Sequence, residues 1–166
     1  VMLWAREPEV VEAINTGHEN TVFLPGVPLS ESVRATASLD EVASVDALLA
    51  VVPAQHLRGV LAETPVGETP LILCAKGIEA GSQMLVGEVA REVHPNAPSA
   101  VLSGPTFAHE VAGGQPTAVT LACADEPLRE RLAERLVHPG FRIYGSSDVI
   151  GAEIGGAVKN VLAIAC

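Results

Sequence analysis

The sequence predicts an α/β fold built on a doubly wound, mainly parallel sheet. Short apolar runs alternate along the chain with stretches of helical periodicity, an order that places helices between parallel strands. Apolar residues make up 48% of the chain and aromatic residues only 3%, which suits the packing of small side chains on a buried sheet. The length of 166 residues fits one domain, since domains commonly hold roughly 100–200 residues.

The first predicted unit is a strand followed by a helix. Residues 1–4 are apolar and lead into a charged segment that ends at Pro8. Val10 and Ile14 then lie at helical spacing, and Gly17 follows them as a helix end. After a loop, residues 34–36 predict a short strand, and a helix is expected to begin near residue 39.

The clearest strand is the apolar run of residues 47–52, which Pro53 stops. A continuous run of this kind is typical of a parallel strand that is covered on both faces. The same alternation predicts further strands at 71–74, 100–102, 117–121 and 142–144, and its best helical patterns at 84–93, 127–137 and 149–166.

Charge excludes one class of partner. The formal net charge is -10, and the ten basic residues form no cluster of the kind that neutralises phosphates along a nucleic acid. We therefore expect no nucleic-acid partner. Only two lysines occur, Lys76 and Lys159, so each is a candidate for a specific role.

Cysteine and histidine spacing argues against disulfides and metal sites. Cys74, Cys123 and Cys166 are odd in number and widely spaced, which predicts reduced core thiols. The five histidines lack metal-ligand spacing, so no metal is expected. Because the apolar runs are shorter than the ~18–20 residues of a membrane helix, we expect no membrane span and a cytoplasmic protein.

Candidate binding residues follow two predicted strands, where ligands of doubly wound sheets bind. Lys76 stands after the strand at 71–74, where it can hold an anion or simply be solvated. Gly104 and Thr106 follow the next strand. This segment either opens a helix whose free N–H groups bind an anion or forms a turn in which Thr106 caps the helix.

The last predicted helix has one nearly bare face. Ala152, Gly155, Gly156 and Lys159 share that face at three- and four-residue spacings. Two glycines inside a helix cost roughly 1 kcal/mol each relative to alanine, so another element or a ligand must approach closely. Lys159 points into the same space. Burial lowers a lysine pKa toward the range of general acid–base catalysis, whereas simple packing would leave the ammonium in solvent.

Taken together, three segments carry a family resemblance. Residues 74–79, 102–112 and 148–160 resemble, in order and spacing, the NAD(P)-dependent glycerol-3-phosphate dehydrogenases of the bacterial type, and residues 4–6, 24–26 and 51–55 add weaker matches. The resemblance implies an oxidoreductase that interconverts glycerol 3-phosphate and dihydroxyacetone phosphate and feeds glycerophospholipid synthesis. It also implies a Rossmann-like NAD(P)-binding domain over residues 1–147 and the first helix of a helical substrate domain over residues 148–166.

The resemblance also assigns roles. It implies that Lys159 accepts the proton of the substrate hydroxyl and also contacts substrate, and that Lys76 contacts both cofactor and substrate. By the same likeness Gly104 and Thr106 are substrate contacts, and Ala108 is a cofactor contact. The substrate is then a small phosphorylated molecule, and assembly as a homodimer stays open.

The cofactor is NADP or NAD. Arg6 stands at the end of the first strand, where an arginine can accept a 2′-phosphate, while the adjacent Glu7 keeps NAD open. Phe23 is expected to line the adenine or to be a core aromatic. Asn160 is implied as a supporting residue.

The chain departs from the family at its start. No G-x-G-x-x-G follows an N-terminal strand, so the expected sheet lacks the first strand and the Gly-rich turn that cradles the pyrophosphate. We therefore expect the 166 residues alone to bind cofactor poorly and turn over little. There are two alternatives. One is a related dehydrogenase of the hydroxyacyl-CoA or phosphogluconate kind, and the other is a non-catalytic binding module.

Overall fold

The computed structural model describes residues 1–42 and 45–165, without the side chains of residues 160–163. Strands and helices alternate along this part of the chain, as predicted. The strands are β1 Met2–Trp4, β2 Arg34–Thr36, β3 Leu48–Ala50, β4 Leu71–Leu73, β5 Ser99–Ser103, β6 Thr117–Ala122 and β7 Phe141–Ser146. The helices are α1 Pro8–Gly17, α2 Ala54–Glu63, α3 Val86–Val93, α4 Ala108–Ala112, α5 Glu126–Leu136 and α6 Val149–Ala165.

The described strands form two sheets. β1 pairs with β2, and the other five lie in the order β3-β4-β5-β6-β7. Neighbouring strands are parallel except β5 and β6, which pair antiparallel with Val101 opposite Ala122. The prediction of a mainly parallel sheet is confirmed.

Helices pack on both faces of the five-stranded sheet at its central strands. Successive side chains of a strand point to opposite faces, and β4 shows the result because all three of its residues are buried. Leu71 and Leu73 pack with α2 and α3, whereas Ile72 packs on the other face with α5. This three-layer arrangement confirms the doubly wound fold.

A separate small core holds the first unit together. Val10 and Ile14 of α1 are buried against Ala5 and Ala35. The helix ends at Gly17 as predicted, and the next residue adopts a left-handed conformation with φ 50°. The hydrophobic spacing in the sequence was sufficient to define this unit.

The prediction for β3 was wrong in one respect. The strand is shorter than residues 47–52, and Leu49 is 48% and Val51 69% exposed. β3 is an edge strand of its sheet, and the face that carries these two side chains is not covered by the described elements. An apolar run therefore marked the strand correctly but overstated its burial.

One helical prediction also needs correction. The helix expected near residue 39 is a single 3-10 turn, Asp40–Val42. Between β3 and β4, α2 fills the interval in keeping with the predicted alternation and buries Leu57 and Leu61.

Cys74 and Cys123 are free thiols, as predicted, whereas Cys166 lies outside the described residues. None of the described helices combines the length and apolarity needed to cross a bilayer.

Candidate active site

The candidate site lies at the carboxyl ends of β4 and β5. These two strands are parallel neighbours, so the residues that follow them reach the same edge of the sheet. Lys76 follows β4 and Gly104 follows β5 directly, while α6 packs against β5. The fold thus brings together two segments that are distant in sequence.

Lys76 is held by the carbonyl of Gly104. Its Nζ donates a hydrogen bond of 2.8 Å to that oxygen, and the backbone N–H of Thr106 donates to the same oxygen at 3.0 Å. Two sequence-predicted site residues are therefore in direct contact. An ammonium has three donors, so this one bond leaves donor capacity for a ligand.

The loop after Lys76 is anchored to α2 by side chains. Gln55 donates to the carbonyl of Ile78 and accepts from the N–H of Ala80, both at 2.8 Å. Arg58 forms a salt bridge of 2.9 Å with Glu79. Sequence reasoning missed Arg58 and Glu79, because ion pairs between residues this far apart in sequence leave no local pattern.

Gly77 and Gly104 are required by the backbone. Gly77 has φ +136°, a region that favours glycine. A β-carbon on Gly104 would lie 2.9 Å from Cγ1 of Val119 and 3.1 Å from the carbonyl of Ala118. Glycine at this position therefore allows the end of β5 to approach β6 closely.

The bare face of α6 packs on the site, and this explains one of its two glycines. A β-carbon on Gly156 would meet Oγ of Ser103 at 3.0 Å and Cγ of Lys76 at 3.6 Å, whereas one on Gly155 meets nothing within 4 Å. The predicted close approach is confirmed at Gly156, where the approaching group is another element. Ser103 is a site residue that sequence reasoning missed.

Lys159 stands over an aromatic ring. Its Nζ lies 5.6 Å from the centroid of Phe107, which is within the range of a cation–π contact. Phe107 is 58% exposed and occupies the N-cap position of α4, where no side chain makes a capping hydrogen bond. Thr106 is therefore not the helix cap, which removes one of the two interpretations of that segment.

The pKa of Lys76 responds to its surroundings in the site. Burial, together with the positive charge of Lys159, lowers the pKa of Lys76. Burial also raises the pKa of the nearby Cys74 thiol to about 11, so that this group stays protonated and neutral near pH 7. Two ammonium groups at one strand edge form a local cationic site on a chain that is acidic overall.

Arg6, Phe23 and Ala108 are the remaining predicted site residues whose side chains the structure describes. Arg6 and Phe23 belong to the unit of β1 and α1 and are exposed. At 63% exposure, Phe23 is not a core aromatic. Within the described part of the chain, no hydrogen bond, ion pair or ring contact joins either of them to the lysine pair. Ala108 is exposed at the first position of α4, and the side chain of Asn160 lies outside the described residues.

One further residue went unnoticed in the sequence. Glu153 of α6 is only 7% exposed, and its Oε1 accepts a hydrogen bond of 2.6 Å from the N–H of Gly87 in α3. Its burial depends on tertiary packing, so nothing in the local pattern distinguishes it from a surface glutamate.

Fold and site together define a Rossmann-like α/β domain with a lysine pair at the carboxyl ends of its strands. Such a pair can bind an anionic ligand and move a proton at a neighbouring oxygen. The family model for the NAD-dependent glycerol-3-phosphate dehydrogenase N-terminus matches residues 1–129. The chain belongs to this family.

Comparison with individual relatives supports the same family assignment. The chain is 61% identical over 166 residues to glycerol-3-phosphate dehydrogenase (NAD(P)+) 1 of Sphingopyxis alaskensis, covering 100% of this chain and 50% of that protein. It is 58% identical to the enzyme of Parvibaculum lavamentivorans, of which it covers 51%. The crystal structure of the Coxiella burnetii glycerol-3-phosphate dehydrogenase matches with a TM-score of 0.90 and 36% identity, over 99% of this chain and 52% of that one. The chain thus spans about half the length of the curated relatives it matches.

Proposed function

We propose that this chain supplies the NAD(P)-binding half of an oxidoreductase that interconverts glycerol 3-phosphate and dihydroxyacetone phosphate. The observation that carries the proposal is the meeting of Lys76, Gly104 and Lys159 at one strand edge. These are the residues to which the family resemblance assigns the reaction and the substrate.

In this proposal Lys159 is the acid–base residue. It accepts the proton of the secondary hydroxyl when glycerol 3-phosphate is oxidised, and it returns a proton to the carbonyl oxygen when dihydroxyacetone phosphate is reduced. The ring of Phe107 holds the ammonium from one side. A positioned proton donor of this kind contributes roughly 10²–10⁴-fold to a rate.

Lys76 binds and orients the substrate and also contacts the cofactor. Its bond to Gly104 fixes the ammonium at the strand edge while other donors remain for substrate oxygens. An anionic substrate relieves the repulsion between the two ammonium groups, which favours a phosphorylated ligand. Thr106 completes the substrate contacts from the loop that follows β5.

The residues present fit a dinucleotide cofactor, either NADP or NAD. The Arg6 side chain is exposed just after β1 and would hold a 2′-phosphate, with Phe23 beside the adenine and Ala108 and Lys76 toward the nicotinamide. The exposure of Arg6 and Phe23 supports a role in binding. When bound, the nicotinamide supplies the hydride acceptor or donor for the reaction.

We extend the proposal to the domains: residues 1–147 form the NAD(P)-binding domain, and residues 148–166 begin a helical substrate domain. An apolar stripe on α6 supports this division. Ile150, Ile154 and Val158 recur every four residues and are 61%, 45% and 36% exposed. An exposed stripe at helical spacing is typical of a helix that packs against a further element.

The setting of the enzyme is also a proposal. The free thiols of Cys74 and Cys123 suit the reducing cytoplasm, and glycerol 3-phosphate made there would feed glycerophospholipid synthesis.

β7 is an edge strand with Tyr144 53% exposed, and it offers a surface to a second copy in a homodimer. Light scattering of the purified protein measures that assembly directly.

The decisive experiment uses the full-length product of the reading frame that encodes this chain, called the full-length product below. Reduction of dihydroxyacetone phosphate is followed by the oxidation of NADPH and, separately, of NADH. Lys159→Ala should lower kcat by roughly 10²–10⁴-fold, and Lys159→Arg should also fail because a guanidinium does not release its proton. Arg131→Ala, at an exposed position on α5, serves as the control.

Two results would overturn the proposal. Turnover of a hydroxyacyl-CoA or of phosphogluconate in place of dihydroxyacetone phosphate would assign the domain to a related dehydrogenase. Tight cofactor binding with no turnover of any of these substrates would indicate a non-catalytic binding module.

A further inference from the structure

The first turn of α3 satisfies only some of its own N–H groups: the side chain of Glu88 accepts a hydrogen bond of 2.8 Å from the N–H of Leu85. The first N–H groups of a helix have no partners within it, and the N-cap residue of α3 is Leu85, whose side chain has no acceptor. The N–H groups of Glu88 and Val89 reach the carbonyl of Leu85 at 3.0 and 3.1 Å. The N–H of Gly87 therefore needs an acceptor from outside the helix.

Glu153 supplies that acceptor from a point 66 residues further along the chain. A β-carbon on Gly87 would lie 3.0 Å from Oε1 of Glu153, so the carboxylate approaches as closely as it does because residue 87 is glycine. The two residues fit each other in space as well as in hydrogen bonding. The positive end of the α3 dipole further favours an acidic group here.

Burying this carboxyl group has a cost. Burial raises the pKa of Glu153, an effect that the hydrogen bond from Gly87 opposes. Around it, Val149 and Ala152 of α6 pack on the apolar cluster that includes α3. Apolar contacts alone tolerate sliding and rotation of one helix on another, whereas a single buried hydrogen bond fixes the register.

The register of α6 determines where Lys159 stands. Lys159 lies six positions after Glu153, a rise of about 9 Å along one rigid helix. Gly156 lies between them, where the helix touches Ser103 and Lys76. A shift of α6 at Glu153 would therefore be transmitted to both lysines.

We propose that Glu153 is a positioning residue for the proposed reaction: its carboxylate ties α6 to the first turn of α3 and thereby sets the position of Lys159 beside Lys76. The inference rests on the proposed function only in taking Lys159 as the acid–base group. The hydrogen bond that joins α6 to α3 is observed in the structure and does not depend on the proposed function.

Three substitutions in the full-length product distinguish the hydrogen bond of the Glu153 side chain from its negative charge. Glu153→Gln keeps an oxygen that can accept from Gly87, so kcat should stay within roughly twofold of wild type. Glu153→Asp keeps the charge but is one methylene shorter, so kcat should fall by roughly tenfold or more as the lysine is misplaced. Glu153→Ala should resemble Glu153→Asp, and the KM for dihydroxyacetone phosphate should change less than kcat in both.

A second readout does not depend on activity. With 13C-labelled lysine, NMR titration follows the pKa of Lys76, which burial and the positive charge of Lys159 lower. This pKa should rise part of the way toward its ordinary value in Glu153→Asp and Glu153→Ala but not in Glu153→Gln. If the wild type does not reduce dihydroxyacetone phosphate, the proposed function fails, while the titration still tests the tie between the helices.

Matched controls exclude general effects on stability. Glu134 is an exposed glutamate on α5, and the same three substitutions there should leave both readouts unchanged. Gly87→Ala should reproduce the loss by pushing the carboxylate away, whereas Gly59→Ala, on α2 with open space at its β-carbon, should not. An active Glu153→Asp beside an inactive Glu153→Gln would overturn the proposal in favour of a role for the charge. Wild-type kcat and Lys76 pKa in all variants would overturn it altogether.

Discussion

The side chain of Lys76 packs against the backbone of α6 at Gly156, where its Cγ lies 3.6 Å from the place that a β-carbon would occupy. The contact joins the loop after β4 to the helix that carries Lys159. It also explains why a helix-weakening residue occurs at this position.

The adjacent glycines provide a matched pair of substitutions. Gly155→Ala meets open space and should raise the free energy of unfolding of the full-length product by about 1 kcal/mol through helix propensity. Gly156→Ala gains the same propensity but must displace Ser103 or Lys76, so it should stabilise less or destabilise. It should also lower kcat/KM by roughly tenfold. Urea unfolding and steady-state kinetics measure the two effects, and equal stabilisation by both substitutions would contradict the packing explanation.

The pKa of Lys76 should depend on Lys159. Burial and the charge of Lys159 both lower it from an ordinary value of 10.5, so the wild-type pKa should lie below that value. Lys159→Met removes the charge and should raise the pKa of Lys76 part of the way back. NMR titration of 13C-lysine measures both values, with Lys76→Met to assign the resonance. A Lys76 pKa that does not respond to Lys159→Met would show that the two ammonium groups are not close.

The ion pair of Arg58 and Glu79 should make stability depend on pH. Hydrogen bonds from Arg58 and Ser82 lower the pKa of Glu79 from an ordinary value of 4.5. An acid with a lowered pKa in the folded state stabilises the protein above its ordinary pKa, and this is lost as the pH falls through the lowered value. Glu79→Gln should therefore lower Tm near pH 7, and the difference from wild type should shrink below about pH 4.5.

A second partner of Arg58 serves as the control for that experiment. Glu92 bonds to the same guanidinium at 2.9 Å but is more exposed, so Glu92→Gln should lower Tm less than Glu79→Gln. If the Tm difference between Glu79→Gln and wild type grows as the pH falls, the predicted sign of the coupling between the ionisation of Glu79 and stability is wrong.

The apolar stripe on α6 should be covered in the full-length product. Ile154→Lys should then lower the free energy of unfolding by roughly 2 kcal/mol, because it removes a buried apolar side chain. Val22→Lys is the control, since Val22 has nearly the same exposure, 47% against 45%, but lies in a loop. Equal and small effects of the two substitutions in denaturant unfolding would show that the stripe faces solvent.

Much of the fold followed from local pattern. The helix around Val10 and Ile14 and the buried strand around Ile72 were identified because burial imposes a period on the sequence. The exposure of Leu49 could not be read in this way, since an apolar run has the same appearance in a central strand and at an edge. The antiparallel pairing of β5 with β6 likewise depends on contacts between distant segments.

The candidate site divides along the same line. By itself the sequence determined the order of strands and helices. It also singled out Lys76 and Lys159 through the scarcity of lysine, and it showed a glycine-bearing helix face that another group must approach. These features depend only on residue identity and spacing. Only the tertiary structure decided that Gly156 rather than Gly155 receives the contact, that Gly104 holds Lys76, and that Glu153 is buried against Gly87. Each of these is a distance between residues far apart along the chain, which is fixed when helices and strands pack.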